Sequence, residues 1–268
     1  AAEELRMLEV IVKGAVTEAH PAPLVFVHGA WHGGWCWDEH LLDYFADLGY
    51  ACYAPSLRGH GASSGGERLR WHRVADYVRD LADLVDQLPA SPVLIGHSMG
   101  GFVVQKYLEH HRAEGAVLLA SVPPTGAVGA TVRIARRHPV QFVKANAMLS
   151  LAPLVATPEL VHHLFFSAAT AHTDVDRYQR RMQDESYRAF LDMLVLDRVK
   201  SSRVAPIPML VLGADADTII SRRDVRQTAA TYGVKPEFFA DTGHDLMLEP
   251  QWPKVAQRIA EWLAAQSF

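Results

Sequence analysis

Short runs of aliphatic and β-branched residues recur along this chain, several of them apolar at successive positions, and a segment with helical spacing follows nearly every one. A strand that is apolar at every position must be covered on both faces, whereas a strand with one wet face alternates. The pattern therefore predicts an α/β chain with a mostly parallel central sheet of about seven or eight strands and helices on both faces. The runs are Met7–Val12, Leu24–Val27, Tyr50–Tyr53, Val93–Ile95, Ala116–Leu119, Met209–Leu212 and Glu237–Ala240. The first precedes a turn-rich stretch containing Gly14 and Pro21, which permits an antiparallel start. Helices are predicted over Trp37–Leu48, stopped by Gly49, and over Val74–Leu88, stopped by Pro89. Two more are expected over Phe102–Leu108 and Val255–Leu263.

One segment departs from the alternation. Helical patterns over Val132–Met148, Pro158–Phe166 and Arg177–Leu196 follow one another without a strand between them. The expected organisation is a core domain from residues 1–123 and 204–268, with residues 124–203 inserted as a helical cap. Such a cap would cover the C-terminal edge of the sheet, where open α/β sheets bind ligands. Its Phe142, Met148, Leu149, Leu154, Phe165, Phe166, Phe190 and Met193 are available to line an apolar pocket. Taken singly, each is expected more often to pack cap against core.

The strongest chemical signal is Gly96-His97-Ser98-Met99-Gly100, followed by Gly101. The pattern Gly-x-Ser-x-Gly alone is weak, but here a strand ending at Ile95 runs into it and a helix leaves it. A strand–serine–helix turn exposes the serine hydroxyl above the sheet, and crowding at the turn leaves no room for Cβ atoms beside the serine. A hydroxyl is a poor nucleophile at neutral pH and needs an adjacent base, itself oriented by an acid. His244, in Asp241-Thr242-Gly243-His244-Asp245 after the last strand, is the expected base. Gly213-Ala214-Asp215-Ala216-Asp217 follows the preceding strand and offers two acids. Asp217 is preferred over Asp215 because the apolar pair Ile219 and Ile220 follows it and would anchor the loop. Amides to hold an oxyanion are expected from Met99, the residue after the serine, and from Ala30 in His28-Gly29-Ala30-Trp31. Trp31 would then stand at the pocket wall.

Other residues receive more ordinary assignments. His97 should point away from the nucleophile's face, and His28 should brace its loop by hydrogen bonding. His110-His111 and His162-His163 are expected as helix-end or surface pairs. No HExxH or paired-cysteine pattern occurs, so no metal is assigned. The glycines of Arg58-Gly59-His60-Gly61-Ala62-Ser63 fit no nucleotide loop, so no cofactor is assigned. A net charge of −4 without a basic run argues against nucleic acid as a partner. Acidic residues at the N-terminus and the lack of a long apolar span argue against a signal peptide and a membrane. Cys36 and Cys52 are expected as buried small hydrophobes in a reducing, cytoplasmic compartment. Oligomeric state leaves no trace in the sequence.

Assembled, these residues resemble the α/β-hydrolase superfamily over nearly the whole chain. Val27-His28-Gly29, Leu57–Ser63, Gly96–Gly101, Asp217 and Gly243-His244 fall in that superfamily's order and approximate spacing. The loop His28-Gly29-Ala30-Trp31-His32-Gly33-Gly34-Trp35-Cys36-Trp37 resembles that of the plant methylesterase and hydroxynitrile lyase group. The elbow Gly-His-Ser-Met-Gly-Gly follows instead the common bacterial form. The resemblance implies a serine hydrolase acting on small carboxylic esters through an acyl-enzyme, with Ser98, His244 and Asp217 as triad. Ser98 stands where haloalkane dehalogenases and epoxide hydrolases of this fold carry Asp, which argues against both. The alternatives are cyanohydrin cleavage assisted by a cap lysine, Lys144 or Lys200, and C–C, amide or lactone cleavage at the same site. A non-catalytic receptor for a small ligand is the third.

Overall fold

A computed structural model describes residues 7–268 and holds one seven-stranded sheet in the order β1-β3-β2-β4-β5-β6-β7. The strands are β1 Val10–Lys13, β2 Leu24–Val27, β3 Cys52–Pro55, β4 Val93–His97, β5 Gly115–Leu119, β6 Met209–Ala214 and β7 Pro236–Phe239. All neighbours are parallel except β1, which runs antiparallel to β3. Every residue of β2, β4, β5 and β6 is buried, as strands covered on both faces require. The acidic N-terminal residues 1–6, on which the expectation of no signal peptide rests, lie outside the described residues. No described helix is long and apolar enough to cross a membrane.

Chain order reverses at the centre of the sheet. From β2 the chain moves outward to β3, then returns to place β4 on the other side of β2. The loops leaving β2 and β4 therefore diverge and open a crevice between them, the position at which doubly wound sheets bind ligands. Helix α4, Met99–Tyr107, follows β4 directly, packs on it and is flanked by α3, Val74–Val85. Helix α2, Leu41–Asp47, packs on β3 and on the C-terminal helix, Trp252–Gln266.

Several element bounds differ from the sequence reading for local reasons. The first strand begins at Val10 because Met7 and Glu9 run along the loop 56–64, where their carbonyls accept from Ser64 and Ser56. Predicted helix Trp37–Leu48 is two helices, α1 Trp35–Asp38 and α2, separated at His40, whose φ of −145° is extended. Predicted helix Val132–Met148 is likewise two, α5 Val128–Arg137 and α6 Pro139–Met148. The residue before a proline is excluded from the helical region, and His138 takes φ −132°. Helix α7 is Pro158–Phe165. The stretch predicted as Arg177–Leu196 divides into α8 His172–Gln179 and α9 Tyr187–Leu191, the latter continuing as a π-turn through Leu196.

The break between α8 and α9 has a physical cause. There the chain must bring Gln183 and Glu185 down onto the core. Gln183 accepts from the Gly61 amide at 2.9 Å and donates to the Gly59 carbonyl at 2.8 Å. The Glu185 carboxylate lies 2.8 Å from His60 Nε2 and accepts from the Tyr77 hydroxyl at 2.7 Å, all in the interior. Burial works to depress the His60 imidazole, but the Glu185 charge and hydrogen bond outweigh it and hold the ring protonated to a higher pH than usual. These bonds clasp the helical segment between β5 and β6 onto the loop 57–63.

Candidate active site

Ser98 occupies the turn between β4 and α4 with φ 53° and ψ −116°, a conformation that L-residues rarely adopt. Its amide donates to the Leu119 carbonyl, and its carbonyl accepts from Phe102 and Val122, which hold the strained turn from both sides. The glycines around it are required by crowding. A Cβ on Gly100 would lie 2.1 Å from the Val27 carbonyl oxygen, and one on Gly96 would lie 2.6 Å from the Gly100 oxygen. Gly100→Ala is accordingly expected to destabilise the protein by about 3 kcal/mol or more, a drop in Tm on the order of 6–12 °C. A melting curve within 2 °C of wild type would contradict this.

The loops after β7 and β6 complete a chain of hydrogen bonds. His244 Nε2 lies 2.9 Å from Ser98 Oγ, and His244 Nδ1 lies 2.7 Å from Asp217 Oδ2. The second carboxylate oxygen of Asp217 accepts from the amides of Ile219 and Ile220 at 2.8 and 2.9 Å. The apolar pair singled out in the sequence thus acts twice: its side chains are buried and its N–H groups fix the acid. Asp215, two residues earlier, turns to solvent and pairs with Arg222. Burial alone would depress the His244 imidazole; the charge and hydrogen bond of Asp217, with Asp245 behind, raise its pKa above the usual value.

Gly29 approaches so closely that a Cβ there would sit 3.1 Å from Ser98 Cβ. Among the described residues, the amides of Ala30 and Met99 donate to no protein group. Met99 N–H belongs to the first turn of α4, whose dipole favours negative charge. Trp31 holds φ 67°, unusual for a bulky residue, and is fixed by its indole N–H donating to the Leu151 carbonyl at 3.0 Å. Beside Trp31 lies an apolar cavity of about 40 Å³, lined by Phe142, Leu151, Leu154 and Phe190 among others. Of the remaining residues considered for a pocket, Phe165 and Phe166 are buried, Met193 packs in the core, and Met148 and Leu149 are exposed. Phe165 meets the rings of Trp31, His32 and His244.

Two histidines differ from, or sharpen, the sequence reading. His28 does brace its loop: Nδ1–H donates to the Gly29 carbonyl and Nε2 accepts from the Leu57 amide, which uses both nitrogens of a neutral ring. Burial drives its pKa well down. His97 is not remote from the site. Its ring lies 4.7 Å from that of His244, and its Nε2–H donates to the His244 carbonyl at 2.8 Å. Burial, then the nearby His244, push it down to about 3, so it stays neutral. Sequence reasoning also passed over His32 and Asp245, which are buried and 2.7 Å apart. A lone Asp ahead of Leu246-Met247-Leu248 was the available signal, because a carboxylate in an apolar run needs a partner.

His97, His244 and Asp245 lie close enough together to be weighed as metal ligands. Among the described residues His97 Nδ1 and Asp245 Oδ1 have no hydrogen-bond partner, but both nitrogens of His244 are already bonded to Ser98 and Asp217, which leaves the cluster two uncommitted donors, fewer than a metal ion needs. Lys144 and Lys200, the lysines weighed for cyanohydrin cleavage, are exposed on the helical segment and at its end, and neither has a contact with His244. Cys36 and Cys52 are free and buried, and burial lifts the Cys52 thiol to about 12.

Comparison with known proteins identifies the family and the fold. The sequence model of the alpha/beta hydrolase family matches residues 24–258. A monoacylglycerol lipase of Mycolicibacterium smegmatis is 25% identical over 267 residues, covering 90% of this chain and 88% of that protein. Methylesterase 18 of Arabidopsis thaliana is 37% identical over 79 residues, 29% of each chain. Other local matches are equally short: the chain covers 35% of a pyrethroid hydrolase from Sphingobium wenxiniae, at 31% identity over 101 residues and 37% of this chain. Among solved structures, that of the Paleococcus ferrophilus monoacylglycerol lipase superposes with a TM-score of 0.71 at 23% identity, covering 97% of this chain and 99% of the other.

Proposed function

The chain belongs to the alpha/beta hydrolase family, and from that premise we propose that it is a serine hydrolase cleaving a small carboxylic ester through an acyl-enzyme. The observation that carries the proposal is the unbroken hydrogen-bond chain from Ser98 Oγ through His244 to Asp217. Ser98 attacks the ester carbonyl while His244 Nε2 takes its proton; the Ala30 and Met99 amides hold the oxyanion. The protonated His244 then gives its proton to the departing alcohol. Water, deprotonated by the same ring, releases the acid and restores Ser98.

The helical segment over residues 124–203 serves as the cap, and its Phe165 meets the ring of His244. Curated relatives named esterase, hydrolase and lipase fit the same chemistry. Cyanohydrin cleavage assisted by a cap lysine fits less well, because Lys144 and Lys200 are both exposed. A screen of p-nitrophenyl esters from acetate to long acyl chains, beside an amide and a lactone, tests the proposal. Fastest turnover on short esters is expected. No turnover on any ester would favour a receptor and contradict it.

The same reading fixes a pH dependence. The base works only as neutral imidazole, and Asp217 stabilises the protonated form, so protonation begins at higher pH than for a free histidine. kcat/KM should fall as pH falls through a midpoint above the ordinary 6.5, losing about tenfold per unit below it. Activity that stays flat down to pH 5.5 would contradict this assignment of the base.

A further inference from the structure

We infer that His32 and Asp245 are a positioning pair that locks the oxyanion loop to the loop carrying the base, so that Ala30 and His244 are held as one unit. The inference rests on the serine-hydrolase reading and concerns residues that touch neither substrate nor reacting atoms.

His32 Nδ1 lies 2.7 Å from the Ala30 carbonyl oxygen, and His32 Nε2 lies 2.7 Å from Asp245 Oδ2. A carbonyl only accepts, so Nδ1 must carry a proton. A second proton lies between Nε2 and the carboxylate. The ring has no freedom to choose other partners: it is buried, stacked on Trp35 at 5.5 Å and met edge-on by Phe165 at 5.5 Å. Burial works to raise the Asp245 carboxyl, but the charge and hydrogen bond of His32, then His97 and His244, hold it below the ordinary range.

The pair joins the two halves of the site. Ala30 precedes Trp31, whose left-handed φ of 67° persists only if its neighbours over-determine it. His28 holds the Gly29 carbonyl and His32 the Ala30 carbonyl, so two successive peptides are set by imidazole N–H groups and the Ala30 amide is aimed by them. Asp245 follows the base directly. Its amide donates to the Phe165 carbonyl, and its second oxygen has no partner closer than His97 Nε2 at 3.7 Å. His97 in turn holds the His244 carbonyl. A displacement of about 1 Å at either loop is enough to cost on the order of 100-fold in rate.

Two variants separate positioning from bulk. In His32→Gln the amide nitrogen can still reach Asp245 but has nothing left for the Ala30 carbonyl. Asp245→Asn can donate to a neutral His32, which keeps its bond to Ala30. For a short p-nitrophenyl ester, His32→Gln is expected to lower kcat by about 10- to 100-fold with KM within about threefold. Asp245→Asn is expected to lose no more than about fivefold. The inference is overturned if His32→Gln keeps kcat within threefold of wild type, if its loss is in KM alone, or if Asp245→Asn falls as far as His32→Gln. Should His32→Gln fail to fold, as judged by circular dichroism, loss in folded Asp245→Asn beyond fivefold overturns it and retention supports it. Ser98→Ala assayed alongside distinguishes the two levels: turnover persisting there defeats the serine-hydrolase reading itself.

Discussion

Ser98→Ala is expected to lower kcat for p-nitrophenyl butyrate by about 10⁴- to 10⁶-fold while leaving the melting curve near that of wild type. The magnitude follows from the role, because among the described residues the Ser98 hydroxyl, at 2.9 Å, is the one bonded to His244 Nε2. With the nucleophile gone, what remains is the binding and polarisation of the carbonyl by the Ala30 and Met99 amides, worth a residual 10³–10⁴ over water in related chemistry. Stability should change little, since the turn is held by the Ser98 amide and carbonyl rather than by its hydroxyl. Steady-state kinetics with active-site-titrated protein measure this directly; a loss under tenfold would mean that turnover passes through another group.

Asp217→Asn is expected to cost about 10⁴-fold in kcat, and Asp215→Asn less than about threefold. An asparagine at 217 keeps an oxygen for the Ile219 and Ile220 amides, so the loop should stay in place. Its amide nitrogen would then face His244 Nδ1 and donate to it. The ring's own proton is forced onto Nε2, where it points at Ser98 Oγ, and the base can no longer accept. Asp215 offers a contrast within one loop. It is exposed and pairs with Arg222 at the surface, an arrangement worth about 0–1 kcal/mol to stability and nothing to the site. Equal losses in the two variants would show that the orienting acid has been misassigned.

The sheet was legible in the sequence because its central strands are apolar at every position, a pattern that admits few other readings. The triad's neighbourhood was legible for a related reason: Ser98 and Asp217 follow two of those strands, β4 and β6, and His244 follows the edge strand β7, so order along the chain gives position on one sheet edge. Periodicity was a poor guide where hydrogen-bonding geometry decided the outcome. The break at His138 is dictated by Pro139, and that between α8 and α9 by the need to bring Gln183 and Glu185 to loop 57–63. Helix α4 begins at Met99, three residues before its apolar signal, because Gly100 and Gly101 carry no side chain to register. The contacts of His97 were not legible for a different reason. Alternation along a strand says which way a side chain leaves, not what the next loop folds down upon it, and the loop from β7 places the His244 backbone there. The apolar run after Asp245 signals that its carboxylate needs a partner, but nothing local says that the partner is His32, 213 positions away.

The claim beneath all of this is that His244 makes Ser98 nucleophilic. The most direct measurement is the intact mass of the folded protein after treatment with a fluorophosphonate, followed by peptide mapping. One adduct per chain, on the peptide containing Ser98 and absent from Ser98→Ala, is the predicted result. No adduct under conditions that label a known serine hydrolase, or an adduct that survives in Ser98→Ala, would contradict it.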